Sequence, residues 1–162
     1  MREPVTYRMM KPADAEQVSD LVSTAFDEFI GPELGEDGIA AFRRYAEPDA
    51  IRARVEGGSH FVMVAEVAGR LAGITEIRDC NHVALLFVGK EFHRRGIARA
   101  LFDRALEQAR ATRPDVERMT MNSSRYGVAA YEKLGFRQTG PERSVNGIVF
   151  VPMAMRLDRA SG

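Results

Sequence analysis

Residues 93–98 read His-Arg-Arg-Gly-Ile-Ala and stand where an apolar run, 82–88, gives way to a clean helical period. A helix start carries N–H groups with no intrahelical partner, and its dipole favours an anion there. Gly96 removes the side chain that would hold a ligand away from those groups, and Ala98 keeps the next turn slim. Arg94, Arg95 and Arg99 add cationic donors, so the segment suits a phosphate or pyrophosphate. A solvated helix start with surface arginines is the competing reading. Two other phosphate cradles are excluded: there is no G-x-x-x-x-G-K-[ST], and no G-x-G-x-x-G with an acidic residue about twenty positions on. A nucleoside triphosphate or nicotinamide site is therefore not expected.

Three further groups have chemistry of their own. His82 opens the apolar run and titrates near the range useful for proton transfer, although a lone histidine at a strand start is more often structural. His60 has less to recommend it. Cys80 is the one cysteine, which gives neither a disulfide framework nor metal-ligand spacing. No histidine is placed by motif to activate it, so it reads as a loop thiol.

The elements that must hold these groups follow from hydrophobic period. Residues 5–10 read as an opening strand. From Ala13 to Phe29 the apolar positions Ala15, Val18, Leu21, Val22, Ala25, Phe26 and Phe29 recur at helical spacing. Glycine and proline break the pattern over 31–38, and two shorter helical pieces, 39–46 and 50–58, are separated by Pro48. Residues 60–67 and 71–78 form a hairpin. The strand 82–88 is apolar on both faces at its end, which places it mid-sheet. A helix from Gly96 to Thr112 follows, with one apolar stripe and one charged face. Then come a strand at 116–122, a short helix at 125–134, a turn at 135–140 into another strand, and a closing strand at 147–157. Strands in a meander followed by alternating strand and helix predict an α/β fold: a mixed sheet of about seven strands with helices on both faces. The whole chain, 1–162, reads as one domain.

Lysine plus arginine number 23, as do aspartate plus glutamate, so the formal charge is zero. Bulk capture of nucleic acid or an anionic membrane needs a basic surplus and is not expected. No apolar run approaches the roughly 20 residues that span a bilayer, and the N-terminal stretch lacks a signal-peptide core. The expectation is a soluble, reduced, cytoplasmic protein.

Residues 85–106, LLFVGKEFHRRGIARALFDRAL, resemble the acetyl-CoA-binding motif of the GNAT N-acetyltransferase superfamily: a strand, then [QR]-x-x-G-x-[GA], then a long helix. His93 replaces the usual glutamine or arginine, a small departure because that loop grips mainly through backbone N–H groups. About thirty residues on, MNSSRYGVAAYEKLGFRQTG is similar to the family's later motif, with Asn122, Tyr131, Gly135 and Phe136 in matching places. Strand and helix order is compatible from Met1 to Leu157. The resemblance implies the GNAT fold, with a mostly antiparallel sheet.

It also implies roles. Leu86, Phe87 and Val88 would offer backbone hydrogen bonds to pantetheine between two splayed strands, with the Val88 N–H donating to the thioester carbonyl. His93, Arg94, Arg95, Gly96, Ile97, Ala98 and Arg99 would cradle the pyrophosphate. Asn122 and Ser124 would bind the cofactor, Asn122 at the pantetheine amides; the alternative for Asn122 is to cap the next helix, a task Ser123 or Ser124 could also perform. Tyr131 is the candidate general acid for the departing thiolate, against the alternative of plain packing; Tyr126 is a weaker choice. For the base, family members often carry a carboxylate where Glu76 stands. Strand alternation puts Glu76 on a face with Ala72 and Ile74, an apolar setting that would raise its pKa. His82 competes for that role.

The implied activity is direct transfer of acetyl from acetyl-CoA to a small-molecule primary amine in a ternary complex, with no metal required. Two rivals remain: a peptide or protein acetyltransferase, favoured by a flat open groove, and a non-catalytic acyl-CoA-binding module. Asp27, Glu28, Glu33, Glu36 and Asp37, in the segment that shapes the family's acceptor pocket, would attract a cationic amine or form a solvated loop. A homodimer is compatible with the family's frequent pairing.

Overall fold

The computed structural model describes residues 3–158; residues 1–2 and 159–162 lie outside the described residues. Eight strands form a sheet in the order β1-β2-β3-β4-β5-β8-β6, with β7 paired to β8. They are β1 Val5–Met9, β2 His60–Val67, β3 Arg70–Arg78, β4 His82–Val88, β5 Arg118–Ser123, β6 Arg137–Gln138, β7 Arg143–Val145 and β8 Ile148–Arg156. All pairings are antiparallel except β4 with β5. The strand beyond the expected seven is the two-residue β6, inside the segment read as a turn.

Five helices cover the sheet: α1 Ala15–Phe29, α2 Glu36–Tyr45, α3 Pro48–Glu56, α4 Ile97–Thr112 and α5 Val128–Leu134. Pro48 does not merely separate α2 from α3; it occupies the first turn of α3, where its missing N–H costs nothing. Among the described residues no helix is long and apolar enough to cross a membrane.

Two cores lie on opposite faces of the sheet. One packs Leu101, Phe102 and Ala105 of α4 with Met119, Met121 and Phe136. The other packs Val18 and Val22 of α1 and Ile51 of α3 with Val62, Val64 and Ile74. Adjacent residues of β4 enter opposite cores, Leu86 the first and Leu85 the second, as a strand covered on both sides requires. The register skips between Glu76↔Leu85 and Ile77↔Val83, leaving Ala84 without a partner on β3. A bulge of this kind bends its strand, and β4 parts from β5 just beyond it. β5 meets β4 only at His82↔Thr120 and Val83↔Met121.

Helix α2 spans that parting. Gly38, in its first turn, lies so close to the β7–β8 turn that a Cβ would come within 2.2 Å of the Gly147 carbonyl oxygen. Phe42 meets Phe87 of β4 edge-on at 6.1 Å, and the Tyr45 hydroxyl reaches Glu76 of β3 at 3.0 Å. The helix thus runs from beside β8, over the β4–β5 opening, to β3.

Candidate active site

The free edge of β4 is the centre of the site. Gly89 N–H donates to the Ala72 carbonyl at 2.8 Å. With the unbroken register Gly73↔Val88, Ile74↔Phe87 and Thr75↔Leu86, that bond fixes which residues face β3 and which face away. The N–H and C=O of Phe87 point at β3, whereas those of Leu86 and Val88 point into the opening. Phe87 therefore departs from the expectation that all three offer backbone groups to a ligand. Its ring instead meets α2.

Side chains already meet the two open carbonyls. The Tyr131 hydroxyl donates to the Leu86 carbonyl at 3.3 Å, and the His93 ring, through Nε2, contacts the Val88 carbonyl at 2.9 Å. The Leu86 and Val88 N–H groups have no strand on that side. Burial pushes the Tyr131 phenol up to about 12, so it keeps its proton throughout the physiological range. Phe136, fully buried, meets the Tyr131 ring edge-on at 6.5 Å and Phe102 at 5.4 Å, which steadies the phenol.

Gly127 is a site residue that the sequence reading passed over. A Cβ there would lie 2.6 Å from Cε2 of Tyr131. Helical side chains lean back over the preceding turn, so a small residue four positions before an aromatic was a readable signal. Its φ of −83° suits alanine, so Gly127→Ala should fold, tilt the Tyr131 ring and lower kcat about tenfold, with kcat against KM as the check.

At the head of the opening, Gly96 caps α4 with φ +74° and open space where its Cβ would stand. The first helical bond runs from Ala100 N–H to Gly96 C=O at 3.1 Å. The N–H groups of Gly96, Ile97, Ala98 and Arg99 are thus left for a ligand. The three arginines are not equivalent. Arg95 donates to the Glu3 carbonyl at 2.8 Å and Arg99 to the Lys133 carbonyl at 2.6 Å, whereas Arg94 is exposed. The turn, rather than an arginine cluster, is therefore the feature with free donors. A helix start with free N–H groups and open Cβ space at Gly96 fits the pyrophosphate of a coenzyme A thioester.

Other expectations change in place. Ser124, expected to bind the cofactor, has its Oγ engaged in the turn before α5, where it accepts from Gly127 N–H at 3.0 Å. Asn122 is exposed at the end of β5, on the face opposite Met121 and the α4 core. Of the acidic segment, Asp27 pairs with Arg43 at 2.9 Å and Glu28 with Lys90 at 2.6 Å, while Glu33, Glu36 and Asp37 are exposed.

Glu76 is not among apolar neighbours. It is 1% exposed and accepts from Arg54 Nε at 2.8 Å, Arg54 Nη2 at 3.0 Å and Tyr45 at 3.0 Å, with His60 Nδ1 at 2.7 Å. Arg54 also stacks on the Tyr45 ring at 3.5 Å, and burial, then the Glu76 charge, push the Tyr45 phenol up. A β-bulge at Ala65/Glu66 sends Ala72 to the α4 core while Ile74 stays in the other, so the simple alternation fails here. The carboxylate anchors the α2–α3 corner to the sheet. Nothing in the sequence places Tyr45 and Arg54 beside it.

His82 sits at the closed end of the opening, four residues or about 13 Å along β4 from Leu86, with Nδ1 2.7 Å from Thr120 Oγ1. Burial, then the Arg78 charge, push it down to about 4 from 6.5. It is neutral near pH 7. Because the unfolded chain binds this proton near 6.5 and the folded chain only near 4, stability falls as pH drops through that window. The loss is about 3 kcal/mol and levels off below 4. Urea titrations at pH 7.5 and 4 should show wild type losing that much more than His82→Gln; equal losses would contradict the assignment.

The acetyltransferase (GNAT) domain profile matches residues 30–157. Among curated proteins none matches the sequence significantly. Solved structures share the fold. A GCN5-related N-acetyltransferase from Rhodopseudomonas palustris superposes with TM-score 0.81 at 18% identity, covering 97% of this chain and 98% of that one. PaiA N-acetyltransferase from Thermoplasma acidophilum, in complex with coenzyme A, gives 0.77 at 14%, covering 95% and 99%. A spermidine N-acetyltransferase SpeG chimera, from Vibrio cholerae and hSSAT, gives 0.64 at 18%, covering 94% and 95%. With its splayed β4–β5 edge, its glycine-capped α4 and a domain match over most of its length, the chain belongs to the GNAT acetyltransferase family.

Proposed function

We propose that the protein transfers acetyl from acetyl-CoA to a primary amine of a small molecule, by direct attack in a ternary complex. The carrying observation is the open β4 edge, with Leu86 and Val88 facing the gap, the Tyr131 hydroxyl at one of its carbonyls and the Gly96 turn at its head. In this reading the N–H groups of Gly96 to Arg99 bind pyrophosphate and the Leu86 backbone aligns pantetheine. The Val88 N–H donates to the carbonyl oxygen as it gains charge. Tyr131 gives its proton to the departing thiolate. The amine attacks as its free base and gives up its proton to solvent, since His82, about 13 Å along β4 from Leu86, is out of reach of the reacting atoms. Glu76 contributes by holding Tyr45, and with it α2, in place.

A small acceptor is favoured by the same helix. The Gly38–Gly147 contact closes α2 onto the β7–β8 turn, and a helix laid across the opening leaves less room for a peptide than a bare groove would. Structural relatives named for spermidine and nourseothricin acetylation agree with such an acceptor. A coenzyme A thioester also suits a cytoplasmic enzyme, and neither nucleic acid nor membrane enters this reading.

The test is thiol release from acetyl-CoA with a panel of small amines and, in parallel, of peptides. Turnover with a small amine alone is the expected result. Turnover with peptides alone would replace the acceptor class, and acetyl-CoA binding without turnover on either panel would leave a binding module.

A further inference from the structure

Phe29, the last residue of α1, lies between two rings at the mouth of the opening. Its centroid is 5.0 Å from that of Tyr126 with planes 14° apart, and 5.6 Å from that of His93. Tyr126 belongs to the loop leaving β5, and His93 to the turn leaving β4. The three rings therefore bridge the two strands where they have moved apart. The bridge is fixed at one end by His93 Nε2 on the Val88 carbonyl. At the other, Tyr126 is 57% exposed, a poor place for an aromatic ring unless the ring covers something. Phe29 also lines a cavity of about 1020 Å³ together with Thr24, Gly89 and Lys90, so water-accessible space adjoins the bridge.

We propose that Phe29, Tyr126 and His93 form an aromatic strap that closes over the pantetheine arm and keeps water from the thioester. The inference rests on the acetyltransferase reading above. Polarisation of the carbonyl by the Val88 N–H activates it toward any nucleophile, water included. Were water to attack, its oxygen would bond to the acetyl carbon, the C–S bond would break, and acetate and CoA thiol would leave, one of water's protons going to the thiol sulfur and the other to solvent. A site that polarises the thioester before the amine arrives needs such a cover. Removing one ring from the stack should disable it nearly as well as removing two, because no two-ring remnant spans both strands.

The test titrates acetyl-CoA into the purified full chain and follows thiol release without any amine. Phe29→Ala is expected to bind about tenfold more weakly and to release thiol about tenfold faster than wild type. Phe29→Tyr, which keeps the ring, should stay within about twofold of wild type. Tyr126→Ala, at an exposed loop position, tests the strap even if Phe29→Ala folds poorly, and the double variant should be little worse than either single one. Wild-type binding and thiol release retained in Tyr126→Ala, or losses that multiply in the double variant, would overturn the strap and leave the acetyltransferase reading intact. Failure of wild type to bind acetyl-CoA would overturn both.

Discussion

The Tyr131→Phe protein is expected to bind acetyl-CoA within about twofold of wild type and to turn over about 100- to 1000-fold more slowly, the range seen for a lost general acid. The phenol's ring is held by Phe136, and phenylalanine keeps that packing, so the melting temperature should barely move. The proton donor is removed together with its 3.3 Å bond to the Leu86 carbonyl. Because burial holds this phenol near 12, wild-type kcat should show no descending limb up to about pH 10. The ascending limb should follow the amine, since His82 at about 4 is already neutral. If Tyr131→Phe keeps kcat within about threefold, the hydroxyl at the Leu86 carbonyl is structural and another group protonates the thiolate.

The Gly96→Glu protein should lose acetyl-CoA affinity by at least about 100-fold, or about 2.7 kcal/mol. Two effects combine. Position 96 has φ +74°, which costs a side-chain-bearing residue about 1–2 kcal/mol. The carboxylate would also stand in the open space before the α4 N–H groups, where it would occupy the anion site and repel a pyrophosphate. Gly96→Ala separates them, because it carries the backbone cost without the charge. Calorimetric titration should therefore rank wild type, Gly96→Ala and Gly96→Glu in falling affinity, with the larger step at the charge. Equal affinity of wild type and Gly96→Glu would show that the turn is not the cradle.

Local rules carried much of the architecture. Period and breakers placed α1 and α4, and the two-sided apolarity of 82–88 correctly predicted a central strand. The Gly96 cap was legible for the same reason: a lone glycine between a strand and a helical period has few local alternatives. Short β6 escaped because two exposed residues carry no pattern; it exists only by pairing with β8.

The site divides along a similar line. Gly96 and Tyr131 belong to single local motifs and could be named from the chain. Which of three adjacent β4 residues face the gap depends on strand pairing and the bulge at Ala84, and so Leu86 and Val88 separate from Phe87 only in three dimensions. Glu76 shows the limit most clearly. Alternation puts it beside Ile74, yet Arg54, Tyr45 and His60 converge on it from two other helices and a neighbouring strand. The sequence alone determined a GNAT-type fold and a glycine-capped turn at the start of α4, because the motifs that carry them depend on contacts within a few residues. Tertiary structure decided the buried carboxylate network, the aromatic bridge at the mouth and the closure by α2, because each joins residues that only folding brings together.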